Sequence, residues 1–248
     1  MKKTAFILPI LILFVLSCSR NDQTDRIEKI RIDTPDDFRN RSILSNHSSA
    51  LIGIDISHYQ GEIEWQKLNT VYDQYPIRFI FVRATMGVDG RDLTYHRNWQ
   101  AIRQSEMTGG VYHYYRPNEN STLQAQNYIQ NVRLMPGDFV PILDIEELPT
   151  IQSMDRLKTG IQNWLNIVEN HFGVRPMIYS HSHYYNNYLS AGFSRYPTWI
   201  ANYSIYVPNR NWHCWQFTQT GYAKGIKGKV DINIFNGSAA DLSLLTIR

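Results

Sequence analysis

The chain predicts an α/β fold, an irregular TIM-like β/α barrel of about five β/α units followed by three strands with few helices. Three observations carry this. From Ala50 onward, short apolar runs alternate with segments of helical periodicity, the rhythm of strands joined by right-handed crossovers. After about Leu189 the helical segments become scarce while apolar runs continue between Gly-, Pro- and Asn-rich connections. The length of 248 residues suits one barrel core.

The elements follow in order. ALIGIDIS reads as a strand, Trp65 to Tyr75 as a helix, IRFIFVRAT as a strand, Tyr95 to Met107 as a helix, and GGVYHYYRP as a strand. Leu123 to Val132 is helical and FVPILDI extended. Ser153 to His171 is the most regular helix: Ser153 suits the N-cap, Leu157, Ile161, Leu165 and Val168 recur at three- and four-residue spacing, and Gly173 follows. RPMIYS, a short helix near Tyr184 to Leu189, and then TWIANY, HCWQFTQ and KVDINIF complete eight strands, enough to close a barrel.

The first residues read as a processing signal. Lys2 and Lys3 precede an apolar stretch from Ala5 to Leu16, the length of a signal-peptide core and too short to span a bilayer. Val15-Leu16-Ser17-Cys18 resembles the lipobox of bacterial lipoproteins, in which the Cys becomes the lipidated N-terminus; the alternative is an ordinary signal peptide that contains a Cys. Ser19 to about Ser49 is polar and mixed in charge, with too few apolar residues for a core of its own. The expected organisation is a signal peptide over 1–17, a lipidated Cys18 and polar tether over 18–49, and a catalytic barrel over 50–248. This implies a monomer exported to the bacterial cell envelope, in the outer membrane and periplasm or at the cell surface, and held to the membrane by lipid.

Charge excludes one class of partner. The whole chain carries 25 basic and 22 acidic residues, and removal of Lys2 and Lys3 with the signal lowers the net charge from +3 to +1. No run of Lys and Arg tracks a phosphate backbone, so nucleic acid is not an expected partner. With Cys18 lipidated, Cys214 is the remaining thiol; it has no internal disulfide partner and reads as a buried apolar residue.

Four carboxylates stand where extended apolar segments stop: Asp55 in GIDISHYQ, Asp144 and Glu146 in PILDIEE, and Asp231 in KVDINIF. A strand alternates its side chains, so Asp144 and Glu146 share one face with Cα atoms roughly 7 Å apart. Burial and mutual repulsion raise the proton affinity of at least one member of such a pair, dividing it into an acid and an anion, as glycosidic bond cleavage requires. A single Asp at a strand end usually caps a turn. Four at candidate strand carboxyl ends instead share the face on which barrel enzymes build their sites.

Aromatic residues crowd the same ends. Tyr112, Tyr114 and Tyr115 share one strand, Tyr179 lies on the next, and Trp199 and Trp215 lie beyond. Rings with a polar edge suit sugars, although aromatics dominate cores as well. Strand-end placement selects Tyr114, Tyr179 and Trp199 as substrate contacts. His181-Ser182-His183 lacks the third ligand of a catalytic zinc, and His113 lies within a strand as a core group or a substrate contact. No Gly-rich phosphate loop, nucleophile elbow or zinc-protease helix is present, so no cofactor and no metal are expected.

Asp55-Ile56-Ser57-His58-Tyr59-Gln60, Asp144-Ile145-Glu146, Trp199-Ile200-Ala201 with Tyr203, Trp215-Gln216-Phe217, and Val230-Asp231-Ile232-Asn233 with Phe235 and Gly237 together resemble the signature segments of glycoside hydrolase family 25, the Chalaropsis-type muramidases. The resemblance runs from about Leu51 to Gly237. It implies an irregular β/α barrel that hydrolyses the β-1,4 bond between N-acetylmuramic acid and N-acetylglucosamine in peptidoglycan glycan strands. Carried onto this sequence, Glu146 is the general acid that later activates water, and Asp144 stays ionised and orients the 2-acetamido group. Asp55 and Asp231 supply a negative surround, and Gln216 joins the substrate contacts. Substrate-assisted, direct-displacement and inverting paths all remain open, because carboxylate separation decides among them. One departure stands out: the segment that often reads Lys-Ala-Thr-Glu-Gly is here Arg83-Ala84-Thr85-Met86-Gly87, which bears on substrate contacts. The alternatives are a non-catalytic wall-binding lipoprotein, or a glycosidase acting on a related amino-sugar polymer such as chitin.

Overall fold

The computed structural model describes residues 32–209 and 212–248. Eight strands close into a barrel: β1 Leu51–Ile56, β2 Tyr75–Met86, β3 Thr108–Tyr114, β4 Ile142–Asp144, β5 Met177–His181, β6 Thr198–Ala201, β7 Cys214–Gly221 and β8 Val230–Phe235. Parallel pairing runs unbroken from β1 through β2 to β7. β8 then lies antiparallel to both β7 and β1 and closes the ring.

Helix α1, Pro35–Asn46, precedes the barrel, and α2 Tyr95–Arg103, α3 Ser121–Asn131 and α4 Met154–Phe172 cross between β2 and β3, β3 and β4, and β4 and β5. A short helical stretch, Ser182–Tyr184, Tyr185–Leu189 and Ser190–Phe193, connects β5 to β6. The expected features of α4 are present: the Ser153 side chain accepts from the Arg156 N–H, and Gly173 ends the helix in the left-handed region at φ 71°.

The expected helix over Trp65 to Tyr75 does not form. That stretch is a turn of 3₁₀ helix, Trp65–Lys67, followed by a hairpin in which Thr70–Val71 pairs with the start of β2. Tyr72 and Asp73, the first two residues of its three-residue loop, both have positive φ, a conformation that no helix accommodates.

The tether reading is also corrected over its second half. Asp33–Arg248 form one compact unit, so residues 33–49 belong with the barrel. Thr34 and Asp37 build a reciprocal capping box that starts α1. The helix escapes a hydrophobicity reading because two of its four buried positions are polar, Asp37 and Asn40, beside Ile43 and Leu44. The signal segment 1–17 and Cys18 lie outside the described residues.

Two cores flank the strand wall. The barrel interior is filled by Phe79, Phe81, Tyr112, Phe139, Met177, Trp199 and Phe235 among others. Gly53 and Gly110 make room for it: a Cβ on either would stand 2.3 or 2.5 Å from the ring of Phe79 or Phe81. Outside the wall, Leu157, Ile161, Trp164, Leu165 and Val168 of α4 bury the helical face that their spacing foretold. Among the described residues, no helix is long and apolar enough to cross a membrane.

Candidate active site

A cleft of about 470 Å³ opens at the mouth of the barrel, and all eight expected catalytic and substrate-contact residues line it: Asp55, Tyr114, Asp144, Glu146, Tyr179, Trp199, Gln216 and Asp231. Strand register explains the convergence. Tyr114 pairs with Asp144, Asp144 with Tyr179 and Tyr179 with Trp199, so four adjacent strands place one residue each in a single cross-strand row. Residues in such a row point to the same side of the sheet. The ladder also continues one step beyond β4, since the Ile145 N–H donates to Tyr179 O at 3.0 Å and the Tyr115 N–H to Asp144 O at 2.8 Å. Extended backbone therefore persists to Glu146, which keeps the face of Asp144 but stands exposed where Asp144 is buried.

Asp231 reaches the mouth by a different route from the expected one. It stands second from the amino end of β8, not at a carboxyl end, and pairs in register with Asp55. Because β8 runs antiparallel, its amino end is at the same mouth as the carboxyl ends of the other strands.

Asp55 Oδ2 accepts from Gln216 Nε2 at 2.9 Å and from Asn233 Nδ2 at 2.7 Å. Gln216 Oε1 in turn accepts from the hydroxyls of Tyr179 and Tyr203, each at 2.8 Å, and Asn233 Oδ1 from Trp199 Nε1 at 2.7 Å. Gln216 and Tyr179 thus brace an anion as well as facing the cleft. Trp199, 1% exposed and packed on Phe81 and Tyr179, forms wall and not an open stacking platform.

Burial and crowding raise the proton affinity of all four acids. Desolvation, opposed by the bonds from Asn233 and Gln216, moves Asp55 up to about 6. Desolvation and the Asp55 charge push Asp231 up to about 9. Asp144 rises well above the usual carboxylate range through burial and the charges of Glu146 and Asp55, and Glu146, whose side chain keeps contact with solvent at the rim, rises through partial desolvation against the cleft wall. Both members of the pair favour their protonated forms, Asp144 strongly because it is buried and faces the charges of Glu146 and Asp55, whereas the sequence reading expected Asp144 to stay ionised. Asp144 Oδ1 is buried without a hydrogen-bond partner among the described residues.

Sequence reasoning passed over several cleft residues. Tyr112 lies two positions before Tyr114 on the same strand face, a period-two signal that was available. Glu147 accepts from Tyr114 Oη at 2.9 Å and from Arg116 Nη1 at 3.0 Å. Arg83 faces the acid pair and opposes its protonation, while its Nε bonds Asp92 at 3.2 Å. Met86, the departure noted above, sits at the cleft with its Sδ 3.2 Å from Arg116 Nη2.

The remaining candidates resolve as structure. His113 points away from the mouth, stacks on Trp164 and bonds Thr85 and Gln124, and burial lowers it to about 4. His183 contacts Asn187, and among the described residues no group of three His, Cys, Asp or Glu could hold a metal. Cys214 is fully buried in the barrel interior, as expected.

Comparison with known proteins agrees with this geometry. The family model for glycosyl hydrolases family 25 matches residues 54–226. The protein YegX of Escherichia coli K12 is 35% identical over 199 residues, covering 79% of this chain and 73% of that protein. Lysozyme M1 of Streptomyces globisporus is 30% identical over 226 residues, covering 83% and 74%. A bacterial lysozyme structure from Streptomyces coelicolor superposes with a TM-score of 0.71 at 28% identity, covering 80% of this chain and 98% of that one. With its barrel, its cluster of acids and these relatives together, the chain belongs to glycosyl hydrolases family 25 and is a glycoside hydrolase of the lysozyme type.

Proposed function

We propose that this enzyme is an N-acetylmuramidase that hydrolyses the β-1,4 bond between N-acetylmuramic acid and N-acetylglucosamine in peptidoglycan. The observation that carries the reading is the gathering of Asp55, Asp144, Glu146 and Asp231 around one cleft, with Glu146 exposed at the rim and Asp144 buried beside it. In this reading the acetamido group of a muramic-acid residue approaches Asp144 on binding. Its N–H stabilises the Asp144 anion, and the proton passes from Asp144 to Glu146. Glu146 then protonates the leaving oxygen, the acetamido oxygen attacks the anomeric carbon, and the Glu146 carboxylate finally deprotonates the hydrolytic water. Asp55 contributes negative potential toward the oxocarbenium-like transition state, the bonds from Gln216 and Asn233 keep it aimed without reorganisation, and Asp231 beside it holds its proton at neutral pH.

The site of action we infer is the cell envelope, with Cys18 lipidated and the barrel held at the membrane while it works on glycan strands; the basis is the lipobox-like Leu16-Ser17-Cys18 and the lysozyme relatives. Digestion of purified peptidoglycan, followed by reduction and identification of the new reducing ends, tests the substrate bond. Muramic-acid reducing ends are expected. Ends in N-acetylglucosamine, or free peptide without new reducing ends, would overturn the reading.

A further inference from the structure

Helix α1 lies outside the segment that carries the family match, yet it bonds to Tyr203, a residue that lines the catalytic cleft. Arg39 Nη1 donates to the backbone oxygen of Tyr203 at 2.7 Å, and its Nη2 to Thr218 Oγ1 at 3.2 Å. These contacts straddle Gln216: the Tyr203 hydroxyl donates to Gln216 Oε1, and Thr218 lies two residues beyond Gln216 on β7. Gln216 passes the constraint to Asp55 through its 2.9 Å bond.

The docking of α1 is specific. The hydroxyl of Tyr72 donates to Asp37 Oδ1 and accepts from Asn40 Nδ2, both at 2.9 Å and buried. Tyr72 itself sits at φ 52°, in the left-handed region that a non-glycine residue occupies only when its surroundings impose it. Arg41 reaches the Tyr72 carbonyl from the same helix, and His47 packs edge-on against Trp215, the neighbour of Gln216.

We propose that Arg39 is a positioning residue for the cleft, and that α1 acts as a clamp on the hydrogen-bond chain Tyr203, Gln216, Asp55. The inference rests on the muramidase reading of that cleft. One guanidinium fixes the start of the segment after β6 against β7. This holds the Gln216 amide with its oxygen toward the two tyrosines and its N–H toward Asp55. Without it Tyr203 shifts, the Gln216 amide loses one of its two orienting donors, and Asp55 loses part of the bond that favours its anion. The other groups facing Asp55 stay in place: Asp144 and Glu146 from β4 and its extension, Asp231 and Asn233 from β8, Tyr112 from β3, Tyr179 from β5, and Arg83 from β2.

The test compares wild type, Arg39→Ala, Arg39→Lys and Ile43→Val, all in the full mature chain. Two readouts are taken: kcat and KM on purified peptidoglycan, and the titration of the Asp55 carboxyl carbon by NMR. For Arg39→Ala we expect kcat to fall about tenfold with little change in KM. The Asp55 midpoint should rise from its value of about 6 by roughly half a pH unit. Arg39→Lys should recover part of both. Ile43→Val removes one buried methyl from the same helix and should lower the melting temperature while leaving kcat and the titration unchanged. Unchanged kcat and midpoint in Arg39→Ala would overturn the proposal, as would equal effects from Ile43→Val. If wild type releases no reducing ends, the muramidase reading falls, and the titration still decides whether Arg39 sets Asp55.

Discussion

Replacing Asp231 by Asn should stabilise the protein at neutral pH while impairing the enzyme. Asp231 is raised from 3.8 to about 9 by desolvation and by the Asp55 charge. A carboxyl whose folded pKa exceeds its unfolded value binds its proton more tightly in the fold, so between the two values the native state holds more protons and stability falls as pH rises. The contribution is fully present below about 4, declines across the window up to about 9, and levels off above it. At pH 7 the fold has lost about three pH units of that window, which corresponds to about 4 kcal/mol. Asp231 is partly exposed at the cleft edge, so solvent screening reduces the figure to about 2 kcal/mol. For a unit of this size, that raises the melting temperature by about 4–8 °C. Asn is neutral in the folded and the unfolded chain alike and keeps the shape, so the gain should appear at pH 7 to 8 and vanish near pH 4. Thermal unfolding of wild type and Asp231→Asn across pH 4 to 8 reads this directly. An equal gain at every pH, or none at pH 7, would refute the argument that crowded carboxylates strain this mouth.

Asp144→Asn should lose about 10²-fold or more in turnover, because the amide cannot supply the anion that faces the developing cation; near-wild-type activity beside a dead Asp55→Asn would move the principal anion to Asp55. Asn233→Ala removes the 2.7 Å bond to Asp55 and orphans the Trp199 indole N–H, so urea unfolding should show a loss of about 3 kcal/mol together with weakened turnover. Cys18→Ser should block lipid attachment and shift the enzyme from the membrane fraction to the soluble one; an unmodified mature N-terminus elsewhere in the wild type, read by mass spectrometry, would contradict the anchor.

The barrel was legible because its strands are near-continuous apolar runs and its best helix carries both caps and a 3.6-residue stripe. Strand direction was not. VDINIF reads the same whether it runs parallel or antiparallel, so Asp231 was assigned to a strand's carboxyl end when only the reversal of β8 brings it to the mouth. The helix α1 was hidden because its docking depends on Asp37 and Asn40, polar residues whose partner Tyr72 lies some thirty positions away. The same reason kept Gln216 from being read as a brace: its partners Asp55, Tyr179 and Tyr203 are distant in sequence. Local pattern reveals which residues are extended and apolar, while hydrogen-bond partners are a property of the closed barrel.

The most direct test of the account is the turnover of Glu146→Gln on purified peptidoglycan, measured beside wild type by the release of muramic-acid reducing ends. The amide preserves the shape of the side chain at the rim but cannot deliver a proton, so turnover should fall about 10²-fold or more while glycan binding and the melting temperature are retained. Turnover within a few-fold of wild type would contradict the assignment of Glu146 as the acid that breaks the bond.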